Sequence, residues 1–109
     1  MTELAVAQTS SVLYRQQSVE AFVEAMAAKT STPGGGSASA LAASMAAGLE
    51  AMVVQFSLKK AKTPAHLKKL EKIFEKTQTL RQRLLNLVDE DSAAYERLRQ
   101  AYKSQQGIQ

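Results

Sequence analysis

Residues 63–103 read TPAHLKKLEKIFEKTQTLRQRLLNLVDEDSAAYERLRQAYK, and this stretch decides the fold class. Leu67, Leu70, Phe74, Thr77, Leu80, Leu84, Leu87 and Val88 recur at spacings of three and four, the repeat of a helix that buries one face. Thr63 followed by Pro64 is a start signal. Threonine suits the N-cap, and proline at the first helical position loses no hydrogen bond. The pattern continues through Tyr95, Leu98 and Tyr102 without Gly or Pro. At 1.5 Å per residue such a helix would be ~60 Å long. That is long for a small domain, so a bend or break is expected near Asp89 to Ser92, where helix propensity is weakest.

Toward the N-terminus, a second helix is expected over about Ser37 to Ser57, with Ser37 as its cap. Leu41, Met45, Leu49, Met52, Val53 and Phe56 form its strong stripe. The opposite face, Ala40, Ala43, Ala47, Gly48 and Ala51, is also apolar. A helix apolar nearly all round is buried on most sides, which makes this the expected central helix of a bundle. A first helix, about Val19 to Ala28, has Ser18 as cap and Val19, Phe22, Val23 and Met26 on one stripe. Residues 1–17 are weakly periodic and read as a short helix or a loose arm. Residues 105–109 are expected to fray. The resulting organisation is an arm at 1–17, a helical domain at 18–104 and a tail at 105–109. The fold class is all-α: a helical bundle with a buried Ala-rich central helix and a long third helix. These helices have too few partners in one short chain. The chain therefore oligomerises or belongs to a larger domain.

Composition narrows the function classes. The chain has 109 residues, 45% of them apolar and 22% charged, which is ordinary for a folded protein. There is no Cys and one His, so disulfides, thiolate nucleophiles and a structural zinc site have no residues to build them. The net charge of +4 favours an anionic ligand without naming one. The N-terminus lacks the basic and apolar regions of a signal peptide. The most apolar stretch, Ala38 to Leu58, contains Glu50 and Gln55 and draws its apolar content largely from Ala. It reads as a buried helix rather than a membrane span. The expected compartment is the cytoplasm, with no membrane partner.

Three groups of residues are candidates for chemistry. Thr32-Pro33-Gly34-Gly35-Gly36-Ser37 opens the second helix. Glycines before a helix expose backbone N–H groups at the positive end of its dipole, a mouth for an anion. The run lacks the Lys of a phosphate-binding loop and the third Gly of a dinucleotide fingerprint. A plain helix–helix connector stands level with the binding reading. The second group is Asp89-Glu90-Asp91. A helical carboxylate beside an apolar cavity can move protons, though an acidic first turn after a break is the simpler account. The third is the lysine set from Lys59 and Lys60 to Lys76, offset by Glu71 and Glu75. It reads mainly as a solvated face. The one aromatic inside it, Phe74, belongs to the apolar stripe and does not alternate with the lysines, which argues against a nucleic-acid partner.

Ser18-Val19-Glu20-Ala21-Phe22, Thr32-Pro33-Gly34-Gly35-Gly36-Ser37-Ala38-Ser39-Ala40, Ala51-Met52-Val53 and Asp89-Glu90-Asp91-Ser92-Ala93-Ala94-Tyr95, in this order, resemble the cyclodeaminase/cyclohydrolase family. That family contains the cyclodeaminase half of formiminotransferase-cyclodeaminase and the related bacterial methenyltetrahydrofolate cyclohydrolases. The Thr-Pro-Gly-Gly-Gly-Ser signature is its specific part. The resemblance implies an all-helical, dimer-forming domain acting on tetrahydrofolate one-carbon derivatives. Cyclodeaminases close 5-formimino-tetrahydrofolate to the 5,10-methenyl form and release ammonia; cyclohydrolases interconvert the methenyl and 10-formyl forms. Neither reaction requires a metal or a further cofactor. By position, Gly34, Gly35, Gly36 and Ser37 would form the loop at the folate site. Asp91 would be the acid/base, with Asp89 second. The lysines, Lys59 and Lys60 first, would suit the anionic glutamate tail of folate. Family domains are much longer, so the resemblance implies later helices that complete the bundle, and the chain is expected to be a fragment, a truncated homologue or a half-domain that relies on another copy. The alternative is a catalytically inactive oligomerisation module that keeps the family packing.

Overall fold

The computed structural model describes residues 13–106. A short 3₁₀ turn at Tyr14–Gln16 precedes three helices: α1 (Val19–Ala27), α2 (Gly35–Leu58) and α3 (Pro64–Gln106). Most of the expected arm, residues 1–12, lies outside the described residues, as do residues 107–109 of the expected tail. The local start signals act as expected. Ser18 Oγ accepts the Ala21 N–H at 3.0 Å, and Thr63 Oγ1 accepts the His66 N–H at 3.1 Å, with Pro64 opening α3. Each cap satisfies a first-turn donor that the helix itself cannot.

The break expected near Asp89 to Ser92 does not occur. Helix α3 runs for 43 residues without interruption. Three long-range contacts hold the weak segment: the Val88 carbonyl and Ser92 hydroxyl bond to Ser37, and Asp89 bonds to the Tyr14 turn. Tertiary contacts thus override a low local propensity. The length of α3 makes the chain elongated, 69 × 35 × 20 Å, with a radius of gyration of 19.2 Å. A compact chain of this size would give about 13 Å.

Helices α2 and α3 pack antiparallel: Ser37 meets Val88 and Ser92, Ser44 Oγ donates to the Arg81 carbonyl at 3.0 Å, and Thr77 Oγ1 donates to Glu50 at 3.2 Å. The face that α2 buries is its small one: Ser37, Ser44, Ala47, Ala51 and Val54. This reverses the expected orientation. The stripe of large residues faces outward, with Met45, Leu49 and Phe56 all about 60% exposed. Small side chains let two backbones approach closely and let serine hydroxyls reach carbonyls on the facing helix. Large side chains on the same face would hold the helices apart. Full burial of the central helix is therefore not seen; one side of α2 is covered and the other is open. In α1, Phe22 alone is buried, while Val19 and Val23 of its expected stripe are exposed.

By length and composition α2 could cross a membrane, its most apolar window having a mean hydropathy of 1.5. It is packed along α3, however, and α3 is rich in Lys and Glu. Beyond the start of α2, α3 continues past the glycine run, where Tyr95 and Leu98 line a cleft with it and Glu96 bonds to Ser31 of the loop before it.

Candidate functional site

A cleft of about 520 Å³ opens where α2 begins. Its walls are Ser31, Thr32, Gly34, Gly35, Gly36, Asp91, Ser92, Ala94, Tyr95 and Leu98. Two segments far apart in sequence meet here: the glycine run and one face of α3. Asp91, Tyr95 and Leu98 lie at i, i+4 and i+7, so one helical stripe supplies a carboxylate and two half-exposed apolar side chains.

The Asp91 carboxylate rests directly over Gly36. A Cβ placed on Gly36 would collide with the Asp91 side chain, whereas a Cβ on Gly35 would meet open space. The two glycines therefore differ in purpose. Gly36 admits the carboxylate; Gly35 keeps the cleft open. Gly34 is the N-cap residue, and no side chain caps the helix. By helix geometry the N–H groups of Gly35, Gly36 and Ser37 have no intrahelical carbonyl. A carboxylate at this end also complements the helix dipole. The mouth read from sequence as a site for an external anion thus already holds a negative side chain of the same chain.

Ser37 is not the cap. It lies inside the first turn, fully buried, and its hydroxyl donates to the Val88 carbonyl at 2.6 Å. That bond uses its one proton, so Ser92 is the donor in the 2.7 Å bond between the two hydroxyls. This buried chain, from Ser92 to Ser37 to the Val88 carbonyl, ties the glycine run to the turn of α3 that carries Asp91. Unpaired, these buried polar groups would cost ~1–3 kcal/mol each.

Asp89 faces a different direction. Its carboxylate accepts the backbone N–H groups of Tyr14 and Arg15 and lies 3.5 Å from the Arg15 guanidinium. The two aspartates read together from sequence are therefore separated: Asp91 faces the cleft, Asp89 anchors the N-terminal turn. Glu96, seven residues on from Asp89, reaches the loop from the same face of α3. Its carboxylate accepts the Ser31 hydroxyl at 3.2 Å and pairs with Arg99 at 2.9 Å. The bonds from Arg99 and Gln100 hold this carboxyl below its ordinary pKa of 4.5.

Lys59 and Lys60 are not brought to this cleft. They follow the C-terminal end of α2, whose 24 residues begin within the glycine run, so the length of the helix, ~36 Å, lies between them. Among the described residues there is no cluster of three or more His, Cys, Asp or Glu able to hold a metal ion. Sequence reasoning missed Tyr14, Ser31 and Glu96, and it read Tyr95 as part of the helical pattern without seeing the cleft beside it. Ser92 left a faint signal, a small polar residue in register with the buried stripe of α3. Tyr14 left none, because its partners are distant in sequence.

The sequence profile of formiminotransferase-cyclodeaminase matches residues 18–108. The chain belongs to the formiminotransferase-cyclodeaminase family. It is also similar to a methenyltetrahydrofolate cyclohydrolase of Methylorubrum extorquens, 31% identical over 86 residues. That match takes in 79% of this chain and 41% of the relative, so the chain spans less than half of the relative's length. No solved structure matches the chain at a significant level.

Proposed function

We propose that this chain is a folate one-carbon enzyme domain, acting on 5-formimino-tetrahydrofolate as a cyclodeaminase or on 5,10-methenyl-tetrahydrofolate as a cyclohydrolase. One observation carries the reading: the Asp91 carboxylate held over Gly36 in a cleft walled by Tyr95 and Leu98. A carboxylate in that position favours a ligand that is cationic or rich in N–H donors over an anion. Both candidate substrates meet the requirement. The methenyl carbon lies between two nitrogens that share a positive charge, and the formimino group is an amidine that protonates readily.

In cyclodeamination, N10 attacks the formimino carbon and loses its proton, and the former imino nitrogen leaves as ammonia after gaining protons. In hydrolysis, water adds to the methenyl carbon and loses both protons, one reaching N5 as its bond to that carbon breaks and one passing to the medium, which leaves the formyl group on N10. Either course needs a proton carrier beside that carbon, and Asp91 takes that part. Tyr95 and Leu98 offer an apolar surface for a planar ring. Gly35, with no side chain, leaves room for it. Asp89, already bonded to the Tyr14 turn, is a positioning residue here. Lys59 and Lys60 would meet the glutamate tail only across a contact with another copy.

We further propose a cytoplasmic homo-oligomer. The open side of α2, with Met45, Leu49, Met52, Val53 and Phe56 exposed, supports it. That open side also favours the second reading, an assembly module without activity. Asp91→Asn decides between them. The enzyme reading expects binding of the methenyl compound within about threefold of the parent and turnover lowered by 10²–10⁴, the usual range for a lost general acid/base. Ammonia release from the formimino compound separates the two enzyme activities. A parent protein with no saturable folate binding leaves the assembly reading standing.

A further inference from the structure

The strongest unassigned arrangement lies behind the cleft. Tyr14 touches the structure at three points. Its N–H is bonded to Asp89, its ring packs edge-on to Phe22 with centroids 6.0 Å apart, and its hydroxyl shares a 3.0 Å hydrogen bond with Thr32 Oγ1. Phe22 is the one buried residue of α1. Thr32 stands two residues before Gly34 and lines both the glycine cleft and a second cavity of about 730 Å³ on the far side. Ser92 lines both as well. Thr32 and Ser92 therefore form the partition between the two spaces. Ser92 is fixed from inside by Ser37, whereas Thr32 belongs to a loop with no regular secondary structure.

We propose that the Tyr14 turn is a clasp, and that the Tyr14 hydroxyl is a positioning residue for the glycine mouth, acting through Thr32. Its force is transmitted from α3. Asp89 accepts N–H groups from two successive residues of the turn, so the turn is held by the same helical segment that presents Asp91. One end of the clasp thus stands on the helix that carries the carboxylate, and the other holds the loop that leads into Gly36. The distance between those two groups is what the cleft depends on. Seven residues on from Asp89, on the same face of α3, Glu96 holds Ser31, so a second side chain of that helix grips the loop. For catalysis the inference rests on the folate reading above; for the glycine loop itself it does not.

Tyr14→Phe is the direct test, because it removes the hydroxyl and keeps the ring against Phe22. Thr32→Val removes the other half of the bond. Amide hydrogen exchange of the natural chain and both variants is measured at Thr30 and Ala38, whose N–H groups bond the Ala28 and Gly34 carbonyls on either side of the loop, with Ala47 and Thr77 in the α2–α3 seam as the reference. Each variant should exchange about fivefold faster at those two amides and unchanged in the seam, the factor set by one neutral hydrogen bond. The double variant should exchange no faster than either single one, since both remove the same bond. With methenyl-tetrahydrofolate as substrate, KM should rise by a similar factor while kcat stays within twofold. Unchanged exchange at Thr30 and Ala38, additive effects in the double variant, or faster exchange with KM unmoved would each overturn the proposal. A natural chain that neither binds nor turns over the folate refutes the functional reading instead, and the exchange result alone then judges the clasp.

Discussion

At the scale of single residues, two of the three glycines that line the cleft give opposite expectations. Gly36→Ala forces its new methyl group into the Asp91 carboxylate. Folate turnover should fall at least tenfold, with the carboxylate displaced, while circular dichroism stays helical. Gly35→Ala meets open space in a helical backbone, and the lost flexibility of the unfolded chain should raise stability by ~0.4–1 kcal/mol in thermal unfolding. Equal behaviour of the two variants would contradict the geometry. Glu96 gives a pH expectation. Its folded-state pKa lies below the ordinary value, chiefly through Arg99 and then Gln100. Its contribution to holding Ser31 is therefore complete above the ordinary carboxylate range and lost as pH falls through the lowered value. In an NMR titration the Glu96 midpoint should lie below 4.5 and return toward it in Arg99→Ala. These residue-level facts were unevenly legible. Ser18 and Thr63 were readable as caps because a cap joins neighbours three residues apart. Ser37 was misread as a cap because its true partners lie 51 and 55 residues away.

At the scale of elements, the seam between α2 and α3 organises the molecule. Its buried residues are small, and Ala51 is 4% exposed. Ala51→Leu should overpack the seam and lower stability by ~1–3 kcal/mol in denaturant unfolding. Met52→Leu, on the adjacent exposed surface, should change it by less than about 0.5 kcal/mol. Similar losses in both would mean that α2 is oriented otherwise. The sequence pattern identified both helices but not their facing sides. A helix with large apolar residues on one side and small ones on the other can bury either. The choice falls to the partner, and α3 offers backbone carbonyls that serines reach only at close approach.

At the scale of the whole molecule, the buried apolar side chains among the described residues are few: Phe22, Ala47, Ala51, Val54 and Val88. The row from Met45 to Phe56 remains uncovered. In sedimentation velocity at micromolar concentration the chain should run heavier than its 11.8 kDa. Leu49→Lys should shift it toward the monomer without loss of helix, because Leu49 lies outside the α2–α3 seam. A stable monomer of the natural chain would count against self-association.

By itself the sequence determined that the chain is helical, where α1 and α3 start, and which family it resembles. These depend on short-range periodicity, on caps and on a compact motif. The tertiary structure alone decided that α3 continues through residues 89–92, that the small face of α2 is the buried one, and that Asp91 and Asp89 part company. The physical reason is common to all three. Each depends on which segments meet across tens of residues, and local propensity carries no record of a partner that only folding brings near.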